Sequence, residues 1–167
     1  MAHEQHTDIS PAELADRVWE LAGKIRFCMF VTWDGERQQQ RPLTSMPDRD
    51  AGVIRFLVSA EGSKSWQVER YPEVSLGYAD NSASNYLAIA GTAALSHDRA
   101  QIEELWTPFA KAWWDSADDP DIRVLTVVPE RAELWDGPGK LAAAAVMLAT
   151  AVTGGQPDMG EHGSVRM

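Results

Sequence analysis

Arg26-Phe27-Cys28-Met29-Phe30-Val31-Thr32-Trp33, followed at once by Asp34-Gly35, is the stretch whose reading decides the fold. Aromatic and β-branched residues favour extended backbone. An Asp-Gly pair supplies the positive-φ positions that a tight hairpin turn requires. A returning strand is therefore expected over 38–46, with Pro42 restricting its pairing because proline has no N–H to donate. Strand patterns recur at 53–59, 74–80, 86–95 and 122–128, with a further one at 131–135. Asn81-Ser82-Ala83-Ser84 is the turn between the strands at 74–80 and 86–95. Six or seven strands linked mostly by short turns predict a mainly β protein, an antiparallel barrel with peripheral helices. A Rossmann sheet would need crossover helices between its strands.

The helices lie around this β-rich centre. In Ser10-Pro11-Ala12-Glu13, serine caps, proline suits the first helical position and Glu13 completes a capping box. Leu14, Val18, Leu21 and Ala22 then form one apolar stripe, which Gly23 is expected to end. A short helix is predicted over 64–71, stopping before Pro72. Asp98 and Gln101 open another through Trp106, broken near Pro108. An alanine-rich helix is predicted over about 140–151. With no repeat and no linker, the chain reads as one domain over 10–153, between a flexible tail at 1–9 and a loosely ordered Gly-rich tail at 154–167.

Composition narrows the function classes. The 167 residues suit a single core. Fifteen basic against 25 acidic residues give a net charge of −10. So acidic a chain lacks the electrostatic footprint of nucleic-acid binders, and neither nucleic acid nor an anionic membrane is expected as a partner. A local basic spot can still hold one phosphate. The single cysteine, Cys28, precludes an intramolecular disulfide and sits in an apolar run, where a buried inert thiol is expected. No basic region followed by an apolar stretch marks a signal peptide, and the longest apolar run, 141–152, falls short of the roughly 20 residues that span a bilayer. A cytoplasmic protein is expected.

Two segments can carry chemistry. Arg41-Pro42-Leu43-Thr44 lies on a strand, and Ser63-Lys64-Ser65-Trp66 opens a helix after the strand Phe56-Leu57-Val58-Ser59. A helix N-terminus offers unpaired N–H groups, to which serine adds a hydroxyl and lysine a charge. An arginine converging on that point would add bidentate contacts to a phosphate. Each piece alone is unspecific. His3 and His6 lie in a terminal tail, and His97 and His162 lack partners at zinc spacing, so no metal site is expected. Asp118, Asp119 and Asp121 read as a solvated loop. Trp106, Trp113 and Trp114 read as core or dimer packing.

The order of these pieces resembles the pyridoxamine 5′-phosphate oxidase-like FMN-binding split barrels, general stress protein 26 type. The marks are Arg-Pro-Leu at 41–43, Phe-Leu-Val-Ser at 56–59, Ser-Lys at 63–64, Tyr71-Pro72-Glu73-Val74 and Gly91. Trp113-Trp114 through Asp119-Pro120, Glu133-Leu134-Trp135-Asp136, and the closing Gly-rich 151–161 complete the series. The resemblance implies a homodimer with FMN in the cleft between subunits. It assigns the FMN phosphate to Arg41, Ser63 and Lys64, and lays the backbone of Pro42, Leu43 and Thr44 along the flavin. Val58 and Ser59 match a strand end that touches the cofactor, and Trp135 matches a tryptophan supplied by the partner subunit. Tyr86 stands where the oxidase itself has a flavin-contacting glutamine. The oxidase's Arg-Leu-His-Asp-Arg motif has no counterpart, because Trp135-Asp136-Gly137 leads into Pro138-Gly139-Lys140-Leu141 and alanines. Pyridoxamine-phosphate oxidation is therefore rejected. What the resemblance implies is an FMN-dependent oxidoreductase acting on an unnamed small-molecule electron donor or acceptor, of which a nicotinamide or quinone-like molecule is one form. The alternatives are a flavin-binding stress or sensor protein without turnover, and a split barrel that takes deazaflavin F420 or haem.

Overall fold

The opening stretch forms the predicted hairpin. In a computed structural model, which describes residues 10–137 and 161–167, β1 (Phe27–Trp33) returns as β2 (Gln38–Thr44), with Phe30 opposite Arg41 and Met29 opposite Pro42. Asp34 stabilises the turn by accepting from the N–H groups of Glu36 and Arg37, both at 2.8 Å, and Gly35 takes φ 100°. Alternate β1 residues Cys28, Phe30 and Thr32 are buried, as a strand with one face on a core requires.

β3 (Met46–Asp48), β4 (Val53–Ser59), β5 (Glu73–Asp80), β6 (Asn85–Ser96), β7 (Ile122–Asp136) and β8 (Glu161–Arg166) complete the sheet. All pairings are antiparallel, in the order β2-β1-β5-β6-β7-β4-β3, with β8 also on β7. The first and last strands of that order are consecutive in the chain, joined by Ser45 alone. Hence the sheet curls into a half-barrel. Ser45 is fully buried, and its N–H (2.7 Å) and hydroxyl (2.8 Å) both donate to the Arg26 carbonyl.

Several boundaries differ from expectation for tertiary reasons. The strand expected over 38–46 divides at Ser45 so that its last part pairs with β4 instead of β1. α1 (Pro11–Ile25) has the predicted capping box and buries Leu14, Val18, Leu21 and Ala22, but it runs past Gly23 and stops where Arg26 adopts φ 66°. The bonds from Ser45 to Arg26 set that end, not the glycine. The two strands expected over 122–128 and 131–135 are one strand, β7, because Pro129 falls at an irregularity in its ladder with β6 instead of ending it. Gly91 lies opposite: a Cβ there would come within 2.3 Å of the Val128 carbonyl oxygen, so only glycine fits. The tail expected over 154–167 contributes β8, whose Val165 is buried beside Ala132. The predicted helix at 140–151 and the tail at 1–9 lie outside the described residues.

α1 covers one end of the half-barrel, with Leu14 against Gly163 of β8 and Arg17 bonded to Asp136 of β7 at 2.6 Å. Phe30 and Phe56 meet edge-to-face inside, with centroids 5.4 Å apart. α3 (Arg99–Leu105), capped by Asp98, buries Ile102 against Ile122 and Val124, where Trp106 and Trp114 also pack. Trp113 is 75% exposed and is not core. Among the described residues no helix is long and apolar enough to cross a membrane.

Cys28 is buried beside Tyr78, and burial pushes its thiol up to about 12, with the neighbouring Tyr78 hydroxyl pulling weakly the other way. A thiol that ionises at 9.0 in the open chain but stays protonated in the fold favours unfolding as pH rises above 9.0. Cys28 is accordingly expected to resist a thiol-titrating disulfide reagent in the native state and to react fully once urea unfolds the chain. Rapid native labelling would contradict its placement.

Candidate functional site

The strand β4 ends at Ser59, and a short turn leads into α2 (Ser63–Arg70). Asp121, the residue immediately before β7, holds that turn. Its backbone carbonyl accepts from Ala60 N–H at 2.7 Å, and its carboxylate accepts from Glu61 N–H at 3.0 Å and from the Ser59 hydroxyl. These bonds, the Ser59 hydroxyl foremost, keep the Asp121 carboxyl below the usual range. Ser65 adds a bond from its hydroxyl to the Ser59 carbonyl at 2.8 Å. The sequence reading of Asp121 as a solvated loop residue therefore misses its role in the turn.

α2 begins at Gly62 with no side-chain cap, so its first N–H groups are not spent on a cap. Ser63 is exposed there, and Lys64 beside it is half-buried. Arg41 arrives from β2. It lies opposite the buried Phe30, so its side chain projects on the core-facing side of the sheet and reaches the end of the half-barrel that α2 covers. Its Nη1 donates to Thr32 Oγ1 at 2.8 Å and its Nη2 to Gln67 Oε1 at 3.1 Å.

The electrostatics of this corner are distinctive. Burial lowers the Arg41 guanidinium from its ordinary value. The Lys64 ammonium is lowered by burial and then by the Arg41 charge, with Asp121 pulling the other way. Among the described residues neither cation forms an ion pair. Two like charges sharing a half-buried corner cost free energy, and a dianion placed between them would relieve it. Beside them β2 is an edge strand, paired only with β1, so its outer backbone edge at Pro42, Leu43 and Thr44 is open among the described residues.

The remaining predicted site residues distribute differently. Val58 is core, 2% exposed, and contributes no surface to this corner. Ser59 is next to it but bonds to Asp121. Trp135 is elsewhere: it projects from the outer face of the sheet, between the inward-facing Leu134 and the half-buried Asp136, in register with Tyr86 and His162. The His162 ring stacks on it with centroids 4.9 Å apart. Arg41 and Trp135 thus lie on opposite faces and, along the register from Thr32 to Cys28, at opposite ends. One ligand cannot touch both within a chain. The outer face carrying Trp135 is apolar, with Phe27, Met29, Trp33 and Tyr86 each at least 41% exposed around the small residues Gly77, Ala79 and Ala88.

Sequence reasoning found Arg41 and Lys64 but missed Thr32 and Gln67. The available signal was a polar residue at an inward position of each element, Thr32 within an otherwise apolar β1 face and Gln67 one turn after Ser63. No group of three or more metal-ligating side chains occurs among the described residues. A groove of about 500 Å³ is lined by Ala60, Gly62, Trp66, Ser96, His97 and Arg123, and neither Arg41 nor Lys64 is among its lining residues.

Comparisons with known proteins bear on the family and the fold. The family described as "Pyridoxamine 5′-phosphate oxidase like" matches residues 13–158. General stress protein 26 of Bacillus subtilis (strain 168) is 28% identical over 90 residues, 52% of this chain and 64% of that protein, so the match spans under two thirds of the relative's length. A crystal structure of a candidate general stress protein 26 from Jannaschia sp. CCS1 superposes with a TM-score of 0.77 at 26% identity, covering 95% of this chain and all of that one. A general stress FMN/FAD binding protein from Xanthomonas citri shares the fold at a TM-score of 0.67 and 23% identity, over 75% of this chain and 89% of that one.

Proposed function

The chain belongs to the pyridoxamine 5′-phosphate oxidase-like family, and on that premise we propose that it is an FMN-binding flavoprotein of the general-stress type. The observation that carries this reading is the pairing of Arg41 and Lys64 without a carboxylate partner at the uncapped start of α2. A phosphate monoester fits that corner: it takes charge-assisted bonds from both cations, and Ser63 and the α2 N–H groups add donors. The open edge of β2 offers backbone groups to the polar rim of a flavin, with Pro42 limited to its carbonyl. FMN, when bound, supplies hydride and electron transfer, and the protein supplies its binding and orientation. The reading is an oxidoreductase using a small-molecule electron donor or acceptor, nicotinamide or quinone-like in chemistry.

The opposite placement of Trp135 supports a homodimer. A second copy docking on the apolar outer face would bring its own Trp135 to the first chain's β2 edge, so each site is incomplete until two chains meet. Exposed large apolar residues in one contiguous face are characteristic of such a surface.

Sedimentation of the purified chain, followed at the flavin absorbance band, tests both parts. Flavin is expected to travel with a dimer, one FMN per chain, identified as FMN by mass after release. A chain that purifies without flavin and does not take up added FMN overturns the cofactor; a monomer that holds FMN tightly overturns the composite site.

A further inference from the structure

The anion corner rests on two buried neutral side chains that the family resemblance does not single out. Thr32 and Gln67 are each 2% exposed. Thr32 Oγ1 donates to Gln67 Oε1 at 2.5 Å, and the Arg41 guanidinium donates to both oxygens, at 2.8 and 3.1 Å. The three groups form a closed triangle across three elements, β1, β2 and α2. Such a network fixes the guanidinium plane, because rotating it would leave two buried acceptors short of a donor.

The identity of the acceptors matters as much as their position. The chain has 25 carboxylates, and a carboxylate is the ordinary partner for a partly buried guanidinium. Here an amide and a hydroxyl take that place. They satisfy the donors of Arg41 while cancelling none of its charge. Gln67 also lies on α2, the helix that presents Lys64, so it ties the two cations into one rigid unit.

We propose that Gln67, assisted by Thr32, is the positioning residue of the phosphate site: it aims Arg41 and, being neutral, keeps the full charge of the site for the ligand's phosphate. This rests on the FMN reading above and deepens it. The consequence is a preference for phosphorylated over unphosphorylated flavin that depends on a side chain touching neither.

The test compares FMN and riboflavin binding to the purified full-length protein by flavin fluorescence quenching, with thermal unfolding recorded for each variant. Arg41 and Lys64 each make charge-assisted bonds to the one phosphate, so the wild type should favour FMN by at least about a hundredfold over riboflavin. Gln67→Glu puts a carboxylate on Arg41 and should reduce that preference by about tenfold or more, with riboflavin affinity within about twofold of wild type. Thr32→Val should reduce it by about tenfold, while Thr32→Ser, which keeps the hydroxyl, restores it. The Thr32 pair carries the test if Gln67→Glu does not fold. An unchanged FMN-to-riboflavin ratio in Gln67→Glu and Thr32→Val overturns the proposal, and so does an equal loss of both ligands, which marks a structural role only. A wild type that binds both flavins equally overturns the phosphate site itself, and the proposal with it.

Discussion

Arg41→Ala combined with Lys64→Ala should weaken FMN binding by about a thousandfold, the largest functional effect expected of any pair of substitutions here. Each cation makes charge-assisted bonds to the phosphate worth about 1.5–3 kcal/mol, so the pair contributes about 3–6 kcal/mol, or roughly two to four decades of affinity. The single variants should sum to less or more than the double, because both cations contact one anion and repel one another. Folding should survive. Relief of the repulsion that lowers the Lys64 ammonium offsets part of what is lost when Thr32 and Gln67 no longer accept from Arg41, and the Thr32–Gln67 hydrogen bond remains; a loss of about 1–3 kcal/mol in unfolding free energy is expected. Titration of FMN into the apo-protein, alongside thermal unfolding, reads both quantities. Wild-type affinity in the double variant would place the phosphate elsewhere.

The largest stability effect is expected for Phe56→Ala. Phe56 on β4 and Phe30 on β1 are both fully buried, and their rings meet edge-to-face. The two strands are not neighbours in the sheet, so this contact crosses the interior of the half-barrel. Removing the ring sacrifices its burial and opens a cavity that two hydrogen-bonded ladders cannot collapse to fill, costing about 3–5 kcal/mol. Against the 5–15 kcal/mol typical of a domain, that leaves little reserve, and the midpoint should fall by roughly 6–20 °C. Phe30 lies opposite Arg41, so FMN affinity should fall too, unlike in a surface variant. Urea unfolding checks it: a loss below 1 kcal/mol would mean that the barrel interior tolerates a void.

The hairpin at Asp34-Gly35, the capping box at Ser10 and Glu13, and the strands β1, β4 and β5 were all legible in the sequence. They depend on neighbours a few residues apart: a turn's φ angles, a cap's reach, the two-residue period of a strand. Arg41 and Lys64 were legible as a pair only through the order of motifs, since nothing local shows that a strand arginine and a helix lysine converge. β8 was not legible, because a short polar segment becomes a strand only when the free edge of β7 is there to pair with it. The division at Ser45 was equally hidden: the residue is an unremarkable serine until the Arg26 carbonyl comes within reach.

The sequence by itself determined the fold class, an antiparallel barrel with helices at its periphery, and which charged residues could meet a phosphate. Only the tertiary structure decided that Thr32 and Gln67 hold Arg41 without neutralising it, and that Trp135 stands on the opposite face from the phosphate corner. The reason is physical. Side-chain alternation and capping are properties of a few consecutive residues, whereas the face a strand presents and the partner a buried polar atom finds are settled by segments tens of residues apart, when the sheet closes.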